Sequence, residues 1–131
     1  MHPAYNMSST QSMGRLEERN LNTKPDETRK FDKGKLDIAN IGDVSIGRFT
    51  LEPGWKWSTS VKPIVKTDSC QQHHTGYIIS GRMRVRMDNG TEMECGPGDV
   101  AIIPPGHDAW VEGNEPCIGI DFTGAKTYAQ R

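Results

Sequence analysis

Apolar and polar residues alternate along most of the chain after Lys35. The stretch RMRVRM, from Arg82 to Met87, alternates strictly, and KLDIA and VSIGRF show the same period of two. This period places successive side chains on opposite faces of a strand. Turn sequences separate the runs at intervals of about 8–12 residues, and the Asn-Gly pair of DNG is typical of tight hairpins. The pattern predicts roughly nine short strands, and therefore an all-β sandwich or barrel.

The chain before Asp26 has a different pattern. Residues 1–24 are rich in Ser, Thr, Gln and Asn and lack sustained periodicity. The segment RLEERNL is too short to form a stable helix alone. We interpret residues 1–24 as a disordered or loosely docked N-terminal tail. Residues 25–125 are then a single β-barrel domain, and residues 126–131 are a C-terminal tail.

Composition and charge exclude several classes of partner. The 131 residues include 16 Lys and Arg against 17 Asp and Glu, so the net charge of −1 would attract neither nucleic acid nor a membrane surface. No apolar run approaches the ~18 residues of a transmembrane helix, and the N-terminus lacks the apolar core of a signal peptide. Three cysteines without a CxxC pair indicate reduced thiols and a cytoplasmic protein.

The segment DSCQQHH concentrates side chains that bind transition metals. It contains a carboxylate at Asp68, a thiol at Cys70 and imidazoles at His73 and His74. Thiolate, imidazole and carboxylate are the usual ligands of Zn²⁺ and related ions. If a strand begins here, alternation sends His73 to the face opposite His74. The segment is therefore a candidate metal site.

Several further residues resemble the motifs of the cupin superfamily. Gly98, Pro104 and Gly106 occupy the fixed positions of the second cupin motif, G-x5-P-x-G-x2-H, and Gly81 occupies the final glycine of the first, H-x-H-x3-4-E-x6-G. Over residues 25–125 the chain is similar to single-domain bacterial cupins of the RmlC-like kind. The resemblance implies a double-stranded β-helix, also called a jelly-roll barrel, and a homodimer. It does not fix the function, because cupins include both enzymes and ligand sensors.

The resemblance also assigns positions for metal ligands. Where the family has two histidines, a glutamate and a third histidine, this chain has Asp68, Cys70, His74 and Ala109. His107 lies two residues before Ala109 and could replace the missing histidine. The implied metal ligands are therefore Cys70, His74 and His107, with Asp68 as the alternative third ligand. Such a soft set favours Zn²⁺, while Fe, Mn, Ni or no metal at all remain open, since Cys70 could also be a small buried residue.

Aromatic residues indicate a pocket for a small molecule. Trp55 and Trp57 are two positions apart and would share one face of a strand, and Trp110 follows the turn GHD. Aromatic walls with few polar groups are typical of small-molecule sites, although these residues could equally fill the barrel core or a dimer interface. The predicted ligand pocket consists of Trp55, Trp57, Cys70, His74, Met83, Val85 and Trp110.

Two functions are compatible with these residues. The first is a cytoplasmic small-molecule-binding barrel, with a sensory or regulatory role and a non-standard metal site. The second is a metal-dependent cupin enzyme of the dioxygenase or isomerase type that acts on a small organic substrate. The sequence singles out no catalytic residue. The changed ligand positions favour binding, whereas the presence of Cys70 and His74 at two of those positions keeps the enzyme alternative open.

Overall fold

The computed structural model describes residues 14–130, and their regular secondary structure consists mainly of nine short antiparallel strands. Two one-turn helices, α1 (Trp57–Ser60) and α2 (Lys62–Val65), and a 3-10 helix (Ala125–Thr127) interrupt the strands. The strands are β1 (Glu27–Phe31), β2 (Gly34–Ile41), β3 (Val44–Leu51), β4 (His74–Ser80), β5 (Arg82–Met87), β6 (Glu92–Cys95), β7 (Val100–Ile103), β8 (His107–Glu112) and β9 (Cys117–Asp121).

The strands form two sheets that enclose one main core. The larger sheet has the order β1-β2-β3-β9-β4-β7, and the smaller has the order β6-β5-β8. Apolar side chains of both sheets pack into a single cluster, to which β3 contributes Leu51, β4 contributes Ile78 and β5 contributes Met83 and Val85. Burying one face of each sheet against the other is the arrangement that alternating strands favour. The predicted all-β class is confirmed.

The arginine strand β5 follows the predicted alternation. Met83 and Val85 are buried, whereas Arg82 and Arg84 lie on the outer face. Arg82 pairs with Glu94 on β6 at 3.3 Å, and Arg84 pairs with glutamates on both of its neighbouring strands, β6 and β8, at 3.3–3.4 Å. Cross-strand charge pairs of this kind stabilise a solvated face. The arginines therefore form the outer surface of the small sheet rather than an anion site.

Two elements differ from the sequence prediction. Strand β1 is not predicted, because its residues ETRKF show no alternation. It is an edge strand that forms through backbone pairing with β2. The pairing runs from Glu27 opposite Ile38 to Phe31 opposite Gly34. The segment after Pro53 is not a strand, since Trp57 begins α1 and α2 follows directly.

A guanidinium group holds the C-terminal segment against the barrel. Arg29 donates hydrogen bonds to the carbonyls of Ala125 at 3.2 Å, Lys126 at 2.6 Å and Tyr128 at 2.7 Å. The ring of Tyr128 then lies edge-on to Phe31, with centroids 5.9 Å apart. This segment therefore forms part of the barrel wall.

Only part of the predicted N-terminal tail can be described. Residues 1–13 lie outside the described residues. Arg48 on β3 donates hydrogen bonds to the backbone carbonyl of Leu21 and to the side chain of Asn22. The boundary of the tail at residue 24 stays a prediction.

Candidate metal centre

Three chain segments bring Cys70, His74 and His107 together inside the barrel. Cys70 forms a β-bridge to His107, with its amide 2.7 Å from the His107 carbonyl. Gly106 donates from its amide to the Cys70 carbonyl at 2.7 Å. His107 is the first residue of β8, and His74 is the first residue of β4. The backbone bridge fixes the loop that carries the thiol against the start of β8.

The ligating atoms of these residues are close enough to share one ion. One such atom from each of Cys70, His74 and His107 lies within 4.8 Å of the other two. The Cys70 Sγ and His74 Nε2 atoms are 3.8 Å apart. A tetrahedral zinc ion with bonds of about 2.3 Å to sulfur and about 2.0–2.1 Å to nitrogen would place them at about 3.6 Å. The Cys70–His74 separation therefore fits a zinc ion, and His107 lies near enough to complete the set.

Both imidazoles are oriented by hydrogen bonds at Nδ1. His107 Nδ1 lies 2.7 Å from the Pro104 carbonyl, which only accepts, so Nδ1 carries the proton. His74 Nδ1 lies 2.6 Å from Oδ2 of Asp121, so it too donates. Each ring therefore leaves Nε2 without a proton in its neutral form. Metal-binding histidines commonly have this arrangement, since the outer hydrogen bond fixes the ring and its tautomer.

Asp121 is itself held in place by the backbone. Its Oδ1 accepts from the amides of Thr123 and Gly124, both at 2.9 Å. Burial raises the pKa of Asp121, but the hydrogen bond and charge of His74 and the two amides outweigh it and lower the pKa below its usual value. Asp121 is therefore ionised at neutral pH and supports His74 from behind.

The charges within the cluster favour the ligating form of the thiol. Burial raises the pKa of Cys70, but hydrogen bonds from His107 and His74 outweigh it and lower this pKa to about 6. For His74, burial lowers the pKa, and the hydrogen bonds with Asp121 and Cys70 outweigh it and raise the value to about 9. At pH 7 Cys70 is thus a thiolate, the form that binds metals.

The other two cysteines behave differently. Burial raises the pKa of Cys95, and burial together with the nearby Cys95 raises that of Cys117 to about 12. Both remain protonated at neutral pH and pack in the main core. They are therefore small apolar residues of the core.

A partly open cavity of about 70 Å³ adjoins the three ligating residues. Its wall is mainly apolar and contains five of the predicted pocket residues. These five are Trp55, Trp57, Cys70, His74 and Met83.

The structure places two predicted pocket residues outside the cavity wall. Val85 is buried in the core cluster but does not line the cavity. Trp110 faces outward, because alternation along β8 turns His107 and Ala109 inward and Trp110 away. The Lys56 Nζ lies over the Trp110 ring, 5.2 Å from its centroid, and the Trp110 indole nitrogen donates to the Glu112 carboxylate at 3.3 Å. Trp110 therefore belongs to the outer surface.

Two other candidates of the sequence lie away from the cluster. Asp68 is exposed and is not among the grouped ligating residues. His73 is also exposed, and its Nε2 lies 3.4 Å from the Thr75 hydroxyl. Ala109, the vacant histidine position, lines the cavity beside His107. Of the two candidates for the third ligand, the structure brings His107 to Cys70 and His74.

Sequence reasoning missed three residues of the site: Asp121, Gly124 and Tyr128. Asp121 is the third inward residue of β9, and a buried acid at the end of an apolar strand is unusual enough to have indicated it. A Cβ atom at Gly124 would lie 2.7 Å from His74 Nδ1, so the backbone approaches the imidazole closely. Tyr128 lines the cavity, and its ring centroid is 5.7 Å from that of His74.

The sequence and fold identify the family. Residues 47–123 match the cupin domain family, and the chain belongs to it. This confirms the resemblance noted in the sequence motifs. No curated protein matches the sequence. Within residues 14–130, no helix is long and apolar enough to cross a membrane.

Several solved structures share the fold. The polyketide cyclase RemF from Streptomyces resistomycificus has 17% identity and a TM-score of 0.59, over 85% of this chain and 81% of that one. A cupin-superfamily sugar phosphate isomerase from Silicibacter pomeroyi has 19% identity and a TM-score of 0.57, over 80% of this chain and 73% of that one. KdgF from Halomonas sp. has 17% identity and a TM-score of 0.54, over 76% of this chain and 86% of that one. At these identities the similarity shows the fold alone.

Proposed function

We propose that this cupin binds a small molecule in its barrel beside a divalent metal ion. Cys70, His74 and His107 would hold this ion, and Zn²⁺ is the one that they favour. The observation that carries the proposal is that their ligating atoms lie within 4.8 Å of one another, while both imidazoles are fixed through Nδ1. A chance grouping of polar residues has no need for this second layer of hydrogen bonds.

The geometry leaves room for a ligand. Three protein ligands leave a fourth tetrahedral position, which zinc sites of this kind give to water or to a bound molecule. The ion would polarise an oxygen or nitrogen atom placed there. The aromatic and aliphatic wall, including Trp55 and Met83, would bury the apolar part of the same molecule.

The alternative is an enzyme of the dioxygenase or isomerase type. One observation favours it: the fourth position on the metal, which the three protein ligands leave open. Binding is favoured over catalysis because the metal would occupy the three ligating residues. The remaining candidates in the cavity wall, Asp121 and Tyr128, offer no free general base at neutral pH. Asp121 already accepts hydrogen bonds from His74 and two amides. Burial, together with the nearby charge of Cys70, raises the pKa of Tyr128 well above 10, so its hydroxyl stays protonated.

The proposal includes a compartment and an oligomeric state. A thiolate ligand must stay reduced, which fits the cytoplasm. The outer face of β4 and β7 exposes Tyr77, Ile79, Val100 and Ile102, of which Val100 is 72% and Ile102 is 64% exposed. An apolar face on an edge strand is suited to a second copy of the chain. We expect a homodimer, and a monomer mass by light scattering would contradict it.

The test is metal content in protein purified without chelators or metal-affinity columns. Elemental analysis should find about one zinc ion per chain, and Cys70→Ser, His74→Ala and His107→Ala should each lose most of it. His73→Ala is the matched control, because that ring is adjacent in sequence but exposed. Wild-type protein that stays metal-free after incubation with excess zinc would refute the metal centre.

A further inference from the structure

Trp55 has a buried hydrogen-bond donor without a partner. Its side chain lines the cavity and is 3% exposed. Its indole Nε1 is the one buried side-chain nitrogen or oxygen in the described part of the chain that has no hydrogen-bond partner. Native proteins satisfy nearly all such groups, because an unpaired buried donor is costly. An isolated exception in a cavity wall indicates a missing partner.

Backbone hydrogen bonds fix the position of Trp55 in the cavity wall. Its amide donates to the Glu52 carbonyl at 3.0 Å, and its carbonyl accepts from the Val111 amide, also at 3.0 Å. The residue is thus attached to β8 immediately before α1. Because the indole N–H can only donate, the partner that it lacks is an acceptor, and the cavity that Trp55 lines is the open space beside this residue.

The wall restricts what that acceptor can belong to. The cavity is lined mainly by apolar side chains, so a charged group would find its compensation only at the metal-binding residues and not at the uncharged indole. The outer nitrogens of His74 and His107 are already bonded to Asp121 and to the Pro104 carbonyl. The remaining requirement is a neutral acceptor, such as a carbonyl oxygen, on a hydrocarbon body.

We propose that Trp55 anchors the ligand, and that the cavity takes small, uncharged carbonyl compounds whose oxygen accepts a hydrogen bond from Nε1. This rests on the proposed function only in placing the ligand in the same cavity, and it does not require the metal. An engineered cavity of about 150 Å³ holds benzene, so the 70 Å³ here encloses only a few heavy atoms. Larger members of the class must extend through the open side.

The test uses two probes of nearly equal shape, cyclopentanone and methylenecyclopentane, which differ in having C=O or C=CH₂. Both are titrated into chelator-treated, ¹⁵N-labelled protein, and the tryptophan indole signals are followed by NMR. The ketone should shift the Trp55 indole signal downfield and bind about three- to tenfold more tightly than the alkene, as expected for one net hydrogen bond. The missing signal in Trp55→Phe assigns the resonance.

Matched variants make the result decisive. Trp55→Phe should remove the preference for the ketone while still binding the alkene, whereas Trp57→Phe, the other buried tryptophan of the wall, should keep it. Equal affinity for both probes, or a Trp55 signal that the ketone leaves unchanged, would overturn the proposal and assign the indole to buried water.

A further variant separates this proposal from the metal centre. Cys70→Ser without zinc should retain the ketone preference. If the wild type binds no zinc and still prefers the ketone, the metal centre fails and the anchoring role stands. If zinc binds and the preference is absent, the anchoring role fails alone.

Discussion

The support that Asp121 gives to His74 can be tested by one isosteric substitution. In Asp121→Asn the side chain keeps its size, and an amide oxygen can still face the Thr123 and Gly124 amides, which lie 2.9 Å from the carboxylate. What is lost is the negative charge 2.6 Å from His74 Nδ1. The amide nitrogen would stand where Oδ2 stood, and because it only donates, it cannot accept from Nδ1–H. His74 therefore loses the hydrogen bond that fixes its ring and tautomer, and it becomes a weaker ligand.

The expected loss is a 10- to 100-fold decrease in zinc affinity, the usual effect of removing an outer partner of a metal-binding histidine. This corresponds to about 1.4–2.7 kcal/mol of binding free energy. Affinity is measured in reduced protein by competition with a chromogenic zinc chelator. Circular dichroism should show the same β spectrum in both proteins, because the substitution keeps the size of the side chain and its contacts with the Thr123 and Gly124 amides.

Asp99→Asn is the matched control. Asp99 also accepts a backbone hydrogen bond, from Gly96 at 2.7 Å, but it is exposed and lies outside the cavity wall. The Asp99→Asn protein should bind zinc as the wild type does. An Asp121→Asn protein within twofold of wild-type affinity, or an equal loss in both variants, would refute the reasoning that links the carboxylate to the metal through His74.

Three further predictions concern the thiol, the C-terminal segment and the close backbone approach. In metal-free protein, absorbance near 240 nm should show one thiolate titrating at about pH 6; because the pKa of Cys70 is lowered, the thiolate is present above that pH and lost below it. Arg29→Ala should lower the free energy of unfolding in urea by about 2–3 kcal/mol, since three carbonyls lose a charged donor. Gly124→Ala should weaken zinc binding about tenfold or more without changing a ligand, because its Cβ would lie 2.7 Å from His74 Nδ1.

Each of these predictions has a control. Cys70→Ala should abolish the titration near pH 6, and a signal that persists would assign it to another thiol. Arg86→Ala, on the exposed face of β5, should change stability by no more than about 0.5 kcal/mol; an effect as large as that of Arg29→Ala would argue against the role of the carbonyls. Gly96→Ala, whose Cβ would meet only Arg82 at 3.5 Å, should leave zinc affinity unchanged, and Gly124→Ala with normal affinity would contradict the steric argument.

The sequence alone determined the fold class and part of the site. Strict alternation in β5 fixed Met83 and Val85 inside and the arginines outside, because neighbouring strand residues must face opposite ways. The motif positions singled out Cys70 and His74. Because His107 lies two positions before Ala109, alternation lets it face the same side. The structure shows the alternation and groups the three ligating residues, and each inference depends on local periodicity or on spacing within a short segment.

The tertiary structure decided what local periodicity cannot encode. Asp121 reaches His74 across 47 positions of the chain, and Tyr128 reaches the cavity because Arg29 binds the carbonyls around it. Trp55 lines the cavity while Trp110 lies half-buried on the outer surface, although both lie in similar aromatic and polar stretches. The pairing of β3 and β4 with β9 and the bridge between Cys70 and His107 set these positions, because long-range backbone hydrogen bonds and packing determine which faces of distant segments meet.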